Sequence, residues 1–202
     1  MAYVKLSDYV YDCNLCHTRC DGISKGTYRF EKDVVFSEYY EKLVINKINK
    51  TGKYIAFKCQ DAGYPDVEIR TLAGKLHHYL EIKVQQRTFM SVQKYLPESR
   101  LMPSETVALN LSDLLRYFSI NQQTGVPSGI LWVVLNRLCI IPAAGAQMFY
   151  QDTQSLQRVY KTELLKRKFT RKSGEGDVVN GVHKGVTVNY HFSLKELRPW
   201  NA

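Results

Sequence analysis

The stretch between residues 65 and 85 restricts the fold more than any other part of the chain. It reads Pro65-Asp66-Val67-Glu68-Ile69-Arg70, breaks at Ala73-Gly74-Lys75, and resumes as Tyr79-Leu80-Glu81-Ile82-Lys83-Val84-Gln85. Both flanks alternate polar and apolar residues, the period of two that marks a strand with one buried face. Alternation places Asp66, Glu68 and Arg70 on one face of the first strand, with Val67 and Ile69 opposite. On the second strand Glu81, Lys83 and Gln85 share a face, and Leu80, Ile82 and Val84 point the other way. Paired as a hairpin, the strands bring Asp66 and Glu81 together, with the Lys83 ammonium two residues along. Two carboxylates and a lysine at a sheet edge have the chemistry to hold Mg²⁺ beside a phosphodiester. The plain alternative is a surface hairpin with solvated charges.

The flanking segments give the hairpin a context. Residues 36–48 read as a helix closed by Gly52, and residues 54–57 as a first strand. Downstream, residues 111–118 read as a helix capped by Ser112, with Leu114, Leu115, Tyr117 and Phe118 as its core face. Residues 130–135 are apolar throughout, as expected of a central strand covered on both faces. With its matching residues Pro65, Asp66, Glu81 and Lys83, this series resembles the PD-(D/E)xK nuclease superfamily over residues 34–137. The resemblance implies a restriction-endonuclease-like α/β fold, an αβββαβ core with a mixed central sheet flanked by helices. It also implies Mg²⁺- or Mn²⁺-dependent hydrolysis of DNA that leaves 5′-phosphate and 3′-hydroxyl ends. Asp66 and Glu81 would then be the metal ligands, and Lys83 would orient water and offset charge at the phosphoryl oxygens. Glu41, eleven residues before Gly52, matches the family's helix glutamate and would support the metal. A homodimer, one protomer per strand, follows by the same analogy.

Charge agrees with a polyanionic partner. Lys and Arg number 28 against 19 Asp and Glu, a net charge of +9, and neutralising phosphates releases counterions. Gln85, Arg87 and Lys94 lie on or just after the motif strand and are candidate substrate contacts, with Arg100 beyond them. Lys168 and Arg171 are further candidates, in a basic run with Lys161, Lys166, Arg167 and Lys172 around Phe169. A solvated helix end is the competing reading of that run.

The remaining signals lie at the two ends. Cys13, Cys16 and Cys20, with His17 among them, have metal-ligand spacing. Zn²⁺ is favoured over an iron–sulfur cluster, and His17, Cys59 and Cys139 are open choices for completing the ligand set. Reduced cysteines without metal are the alternative, and the odd total of five argues against disulfides. The chain divides into a Cys-rich lead (residues 1–33), the nuclease-like core (34–142) and a basic extension packed on it (143–202). In that extension a helix is expected over 153–168 and a strand over 186–192. No apolar run reaches membrane-spanning length and no charged-then-apolar leader opens the sequence, so a cytoplasmic protein is expected. His77 and His78 are read as solvent-exposed turn residues. No phosphate-binding Gly-rich loop or Gly-x-Ser-x-Gly element is present. Two other functions remain: a catalytically inactive DNA-binding module of the same fold, and a metal-stabilised interaction or regulatory protein.

Overall fold

A computed structural model describes residues 30–61, 63–85, 88–135, 147–171, 178–179, 182–183 and 188–200. The first helix, α1 (Phe30–Lys50), ends at Thr51-Gly52, where Gly52 has φ +66°. Asn49 fastens this end to the next element, since its side chain accepts from the Ala56 N–H and donates to the Ala56 carbonyl. There follow β1 (Tyr54–Lys58), β2 (Val67–Thr71) and β3 (Leu76–Gln85). The β2–β3 turn contains Gly74 at φ +80°, a left-handed conformation that glycine adopts without steric cost.

A crossover leads from β3 to β5 (Ser128–Val134). It contains the short α2 (Val92–Tyr95), a 3-10 turn at Pro97–Ser99, β4 (Thr106–Asn110) and α3 (Leu111–Thr124). Then come β6 (Gln147–Asp152), α4 (Thr153–Glu163), a 3-10 turn at Leu164–Arg167 and β7 (Lys168–Thr170). The short strands β8 (Val178–Val179) and β9 (Val182–His183) pair with each other. Last are β10 (Val188–Ser193), a 3-10 turn at Leu194–Glu196 and β11 (Arg198–Pro199).

The central sheet has the order β1-β2-β3-β5-β6-β11, with β3 and β5 parallel and the other pairs antiparallel. This is a mixed sheet flanked by helices, in the element order αβββαβ expected from the sequence. One face packs Val67, Leu80, Ile82, Leu131 and Val133 against Val44 and Ile48 of α1. The other packs Tyr79, Ile130, Trp132 and Val134 against Leu114, Tyr117 and Phe118 of α3. All seven residues of β5 are buried, which explains why that strand reads as an unbroken apolar run. A three-stranded sheet, β4-β10-β7, extends the α3 side through Val107, Leu109, Tyr190 and Phe192. Residues expected as a basic extension thus supply β6 and β11 to the central sheet and β7 and β10 to the smaller one.

Several local expectations need correction. Asn110 precedes the first residue of α3, so Ser112 lies inside the helix and does not cap it, while Leu115 is exposed rather than core. The helix expected to reach residue 168 stops at Glu163. Leu164 there adopts φ +41° and the chain tightens into a 3-10 turn before β7. Arg167, part of the basic run read as a phosphate contact or a solvated helix end, is instead buried and ion-paired with Glu196 and Glu163. Among the described residues no helix is long and apolar enough to cross a membrane.

Candidate active site

The β2–β3 ladder ends at the pair Val67 and Leu80. Asp66 stands one residue outside β2, after the buried Pro65, and its backbone carbonyl accepts from Cys59 N–H at 2.8 Å, which extends the β1–β2 pairing. Its side chain crosses to β3, where Oδ2 accepts from the Ile82 N–H at 2.8 Å. This bond fixes the carboxyl beside Glu81, to which it is also hydrogen-bonded.

Glu81 points to the α3 side and is 5 % exposed. Its carboxyl is hydrogen-bonded to Tyr117, and Lys83 Nζ lies 3.8 Å from Oε1. Burial, and then the neighbouring Asp66 charge, push Glu81 up to about 8, against the opposing pull of Lys83 and the Tyr117 bond. Asp66 is also raised, by burial first, with Glu41 adding to the rise and the Ile82 amide and Lys83 opposing it. The two carboxyls therefore titrate as a pair that retains a proton near neutral pH. Tyr117 is raised well above the ordinary phenol range by burial and the adjoining Glu81.

Glu41 approaches from α1. It is 9 % exposed and its Oε2 lies 3.0 Å from Lys58 Nζ. Lys58, the last residue of β1, has its pKa raised chiefly by that bond, with further contributions from Glu38 and Asp66. Glu38, Glu41, Lys42, Ile45 and Lys58 line a concavity of about 270 Å³ on this side. Lys58 was not among the residues singled out from the sequence. Nothing local marks it, because its partner is brought up by a helix that precedes it in the chain.

The structure thus gathers Asp66, Glu81 and Lys83 around the separating ends of β2 and β3, with Glu41 and Lys58 to one side. Glu68, on the Asp66 face, is buried and tied to Arg70. Gln85 closes β3, and its Oε1 accepts from Ala108 N–H at 3.2 Å, joining the central sheet to β4. Lys94 lies on α2, Lys168 opens β7 and is exposed, and Arg171 follows that strand. Arg87 and the cysteines Cys13, Cys16 and Cys20 lie outside the described residues, as does Cys139. His78 departs from expectation: it is part of β3, not a turn. Its Nε2 lies 3.2 Å from Tyr150 Oη, and burial lowers its pKa to about 4. His77 also lies in β3 and not in a turn, though it is exposed as expected, and it stacks on Tyr54.

Among the described residues, no three His, Cys, Asp or Glu side chains are grouped as a metal site. The donor set of Asp66 and Glu81 nonetheless suits Mg²⁺, which is commonly held by one or two carboxylates and completed by water and substrate phosphate. Their raised pKa values fit the same ion, since the Lys83 ammonium only partly offsets two buried carboxylates that face each other.

No family model and no curated protein matches the sequence. Among solved structures, the chain is similar to Hjc of Archaeoglobus fulgidus, described as a Holliday junction resolvase from an archaeal hyperthermophile. The two share 10% identity and a TM-score of 0.37, over 58% of this chain and 76% of that one.

Proposed function

We propose that the protein is a metal-dependent nuclease that hydrolyses DNA phosphodiester bonds at Asp66, Glu81 and Lys83. The observation that carries this reading is the crossing of Asp66 onto β3 at Ile82, which sets its carboxyl against Glu81 beside the Lys83 ammonium. Asp66 and Glu81 would hold Mg²⁺ or Mn²⁺, and Glu41 would support the site from α1. The ion, when bound, would polarise the scissile phosphate and acidify a water molecule. Lys83 is about one-third exposed and stands next to Glu81, so its ammonium can orient the attacking water and balance charge on the phosphoryl oxygens. Tyr117 holds the Glu81 carboxyl in place from α3. Gln85 is occupied by the Ala108 amide, so its proposed role narrows to positioning β3. Lys94, Lys168, Arg171 and Arg87 remain the proposed backbone contacts.

The test is cleavage of supercoiled plasmid and of a branched oligonucleotide with Mg²⁺, Mn²⁺ or EDTA. Metal-dependent cutting is expected, and Lys83→Ala should lower it by roughly 100-fold or more, the usual worth of a positioned proton-transfer group. Asp66→Ala should abolish it. Salt-sensitive binding by folded protein, without cutting in either metal, would instead establish a non-cleaving DNA-binding module.

A further inference from the structure

The strand that carries Glu81 and Lys83 leads, after two residues outside the described set, into a segment of rings. Phe89 stacks on His191 of β10 with centroids 5.0 Å apart and planes inclined by 29°. Tyr95 of α2 lies nearly parallel to Phe89, at 6.2 Å and 9°. Phe169 of β7 closes the side, 5.0 Å from Phe89 and 5.2 Å from Tyr95. Beneath these rings, Val92, Leu96 and Leu101 form a small core of their own on the face of the three-stranded sheet turned away from α3. The stack therefore rises from a buried histidine, 3 % exposed, to a tyrosine that is 49 % exposed.

The outermost ring is held by a layer of aromatic neighbours yet leaves half its surface to solvent. Hydrophobic contact alone does not account for that exposure, because the same anchoring would bury a ring pointing inward. A cation borders it: Lys94 Nζ stands 5.7 Å from the Tyr95 centroid. Arg100 follows the adjoining 3-10 turn. Glu98 is the exposed acid in that turn. A fixed, half-open ring with an ammonium beside it matches a nucleobase on a phosphodiester chain, with the base on the ring and a phosphate at Lys94. A duplex offers no free base face, so the matching ligand contains unpaired nucleotides.

We propose that Tyr95, held by Phe89 and Phe169 and flanked by Lys94, is a stacking platform for an unpaired base. In its role of leading a substrate toward β3, the platform rests on the nuclease reading; as a binding surface it stands independently. The substrate class it implies is DNA that contains a single-stranded stretch.

Fluorescence anisotropy of the full chain in EDTA separates binding from cutting. The probes are labelled oligo(dT) and a duplex of equal length. Tyr95→Ala should weaken oligo(dT) binding roughly 10-fold, the scale of one base–aromatic stack, and Tyr95→Trp should restore it. Duplex affinity should change less than about 2-fold, since phosphate contacts remain. Unchanged oligo(dT) affinity in Tyr95→Ala overturns the proposal. Equal loss for duplex, failure of Tyr95→Trp to rescue, or no oligo(dT) binding by the wild-type chain overturns it as well. Plasmid cutting measured in parallel keeps the two readings apart. Tyr95-dependent binding without any cutting retires the nuclease and keeps the platform, whereas cutting with Tyr95-independent binding does the reverse.

Discussion

Glu81 contributes to the site at a cost to the fold. Its folded pKa lies near 8 against an ordinary value of 4.5. A carboxyl raised in this way contributes full stability below pH 4.5 and loses it as pH climbs toward 8. Glu81→Gln keeps a neutral hydrogen-bonding group beside Tyr117 and removes the need to take up a proton on folding. At neutral pH in EDTA it should stabilise the protein by on the order of 1–3 kcal/mol, read as a raised melting temperature; under the proposed function it should also abolish cutting assayed in Mg²⁺. His191 has the opposite sign. Burial among Phe89 and Phe169 lowers its pKa to about 4 from 6.5, and His78 is lowered to the same degree. The unfolded chain takes up protons first, so stability present above pH 6.5 falls as pH drops toward 4. His191→Phe should flatten the loss of urea-unfolding free energy across that window, by up to about 3 kcal/mol. Asp66, Glu81 and Lys83 were visible in sequence because alternation places residues on strand faces. Lys58 and Tyr117 were not, because each meets its carboxylate only through packing of distant elements.

Among elements, the turn between α1 and β1 is tied by the Asn49 side chain, beside the Glu41–Lys58 pair farther along both elements. Asn49 forms two hydrogen bonds with the Ala56 peptide, at 2.7 and 3.0 Å, and so closes the Thr51-Gly52 turn as a further strand residue would. Asn49→Ala leaves both Ala56 groups without this partner and should lower stability by about 2 kcal/mol, measured by urea unfolding. Gly129 of β5 is equally demanding, because a methyl there would overlap the Tyr150 ring of β6. Gly129→Ala should displace that ring, break its bond to His78 and cost about 1–3 kcal/mol in the same assay. The existence and order of the core elements were legible from hydrophobic period and glycine placement. Their ends were less so. Ser112 has the chemistry of a cap, but the β4–α3 connection has no loop, with Asn110 closing the strand and Leu111 opening the helix. Nothing near Leu164 signals a stop either; the helix yields there so that Arg167 can reach Glu196.

For the whole molecule, an excess of nine positive charges surrounds a buried acidic pair. If nucleic acid is the partner, affinity should fall steeply as salt rises, and a log–log slope near zero in an anisotropy titration would exclude phosphate-driven binding. Of the second sheet only β10 was legible in the sequence, as the strand over 186–192; its pairing was not, because β4, β7 and β10 meet across long separations and β7 has only three residues. Local periodicity reports burial, not partners. In that sheet β10 is the middle strand, the one that joins β4 to β7. The consequence concerns the order in which the protein can fold during synthesis. A ribosome-bound chain that stops before Val188 has made the strand bearing Glu81 and Lys83, yet β4 and β7 have nothing to bridge them and His191 is absent from beneath Phe89. Such a nascent chain should remain protease-sensitive around residues 88–110 until β10 emerges, which would leave the ring cluster of Phe89, Tyr95 and Phe169 unassembled until then.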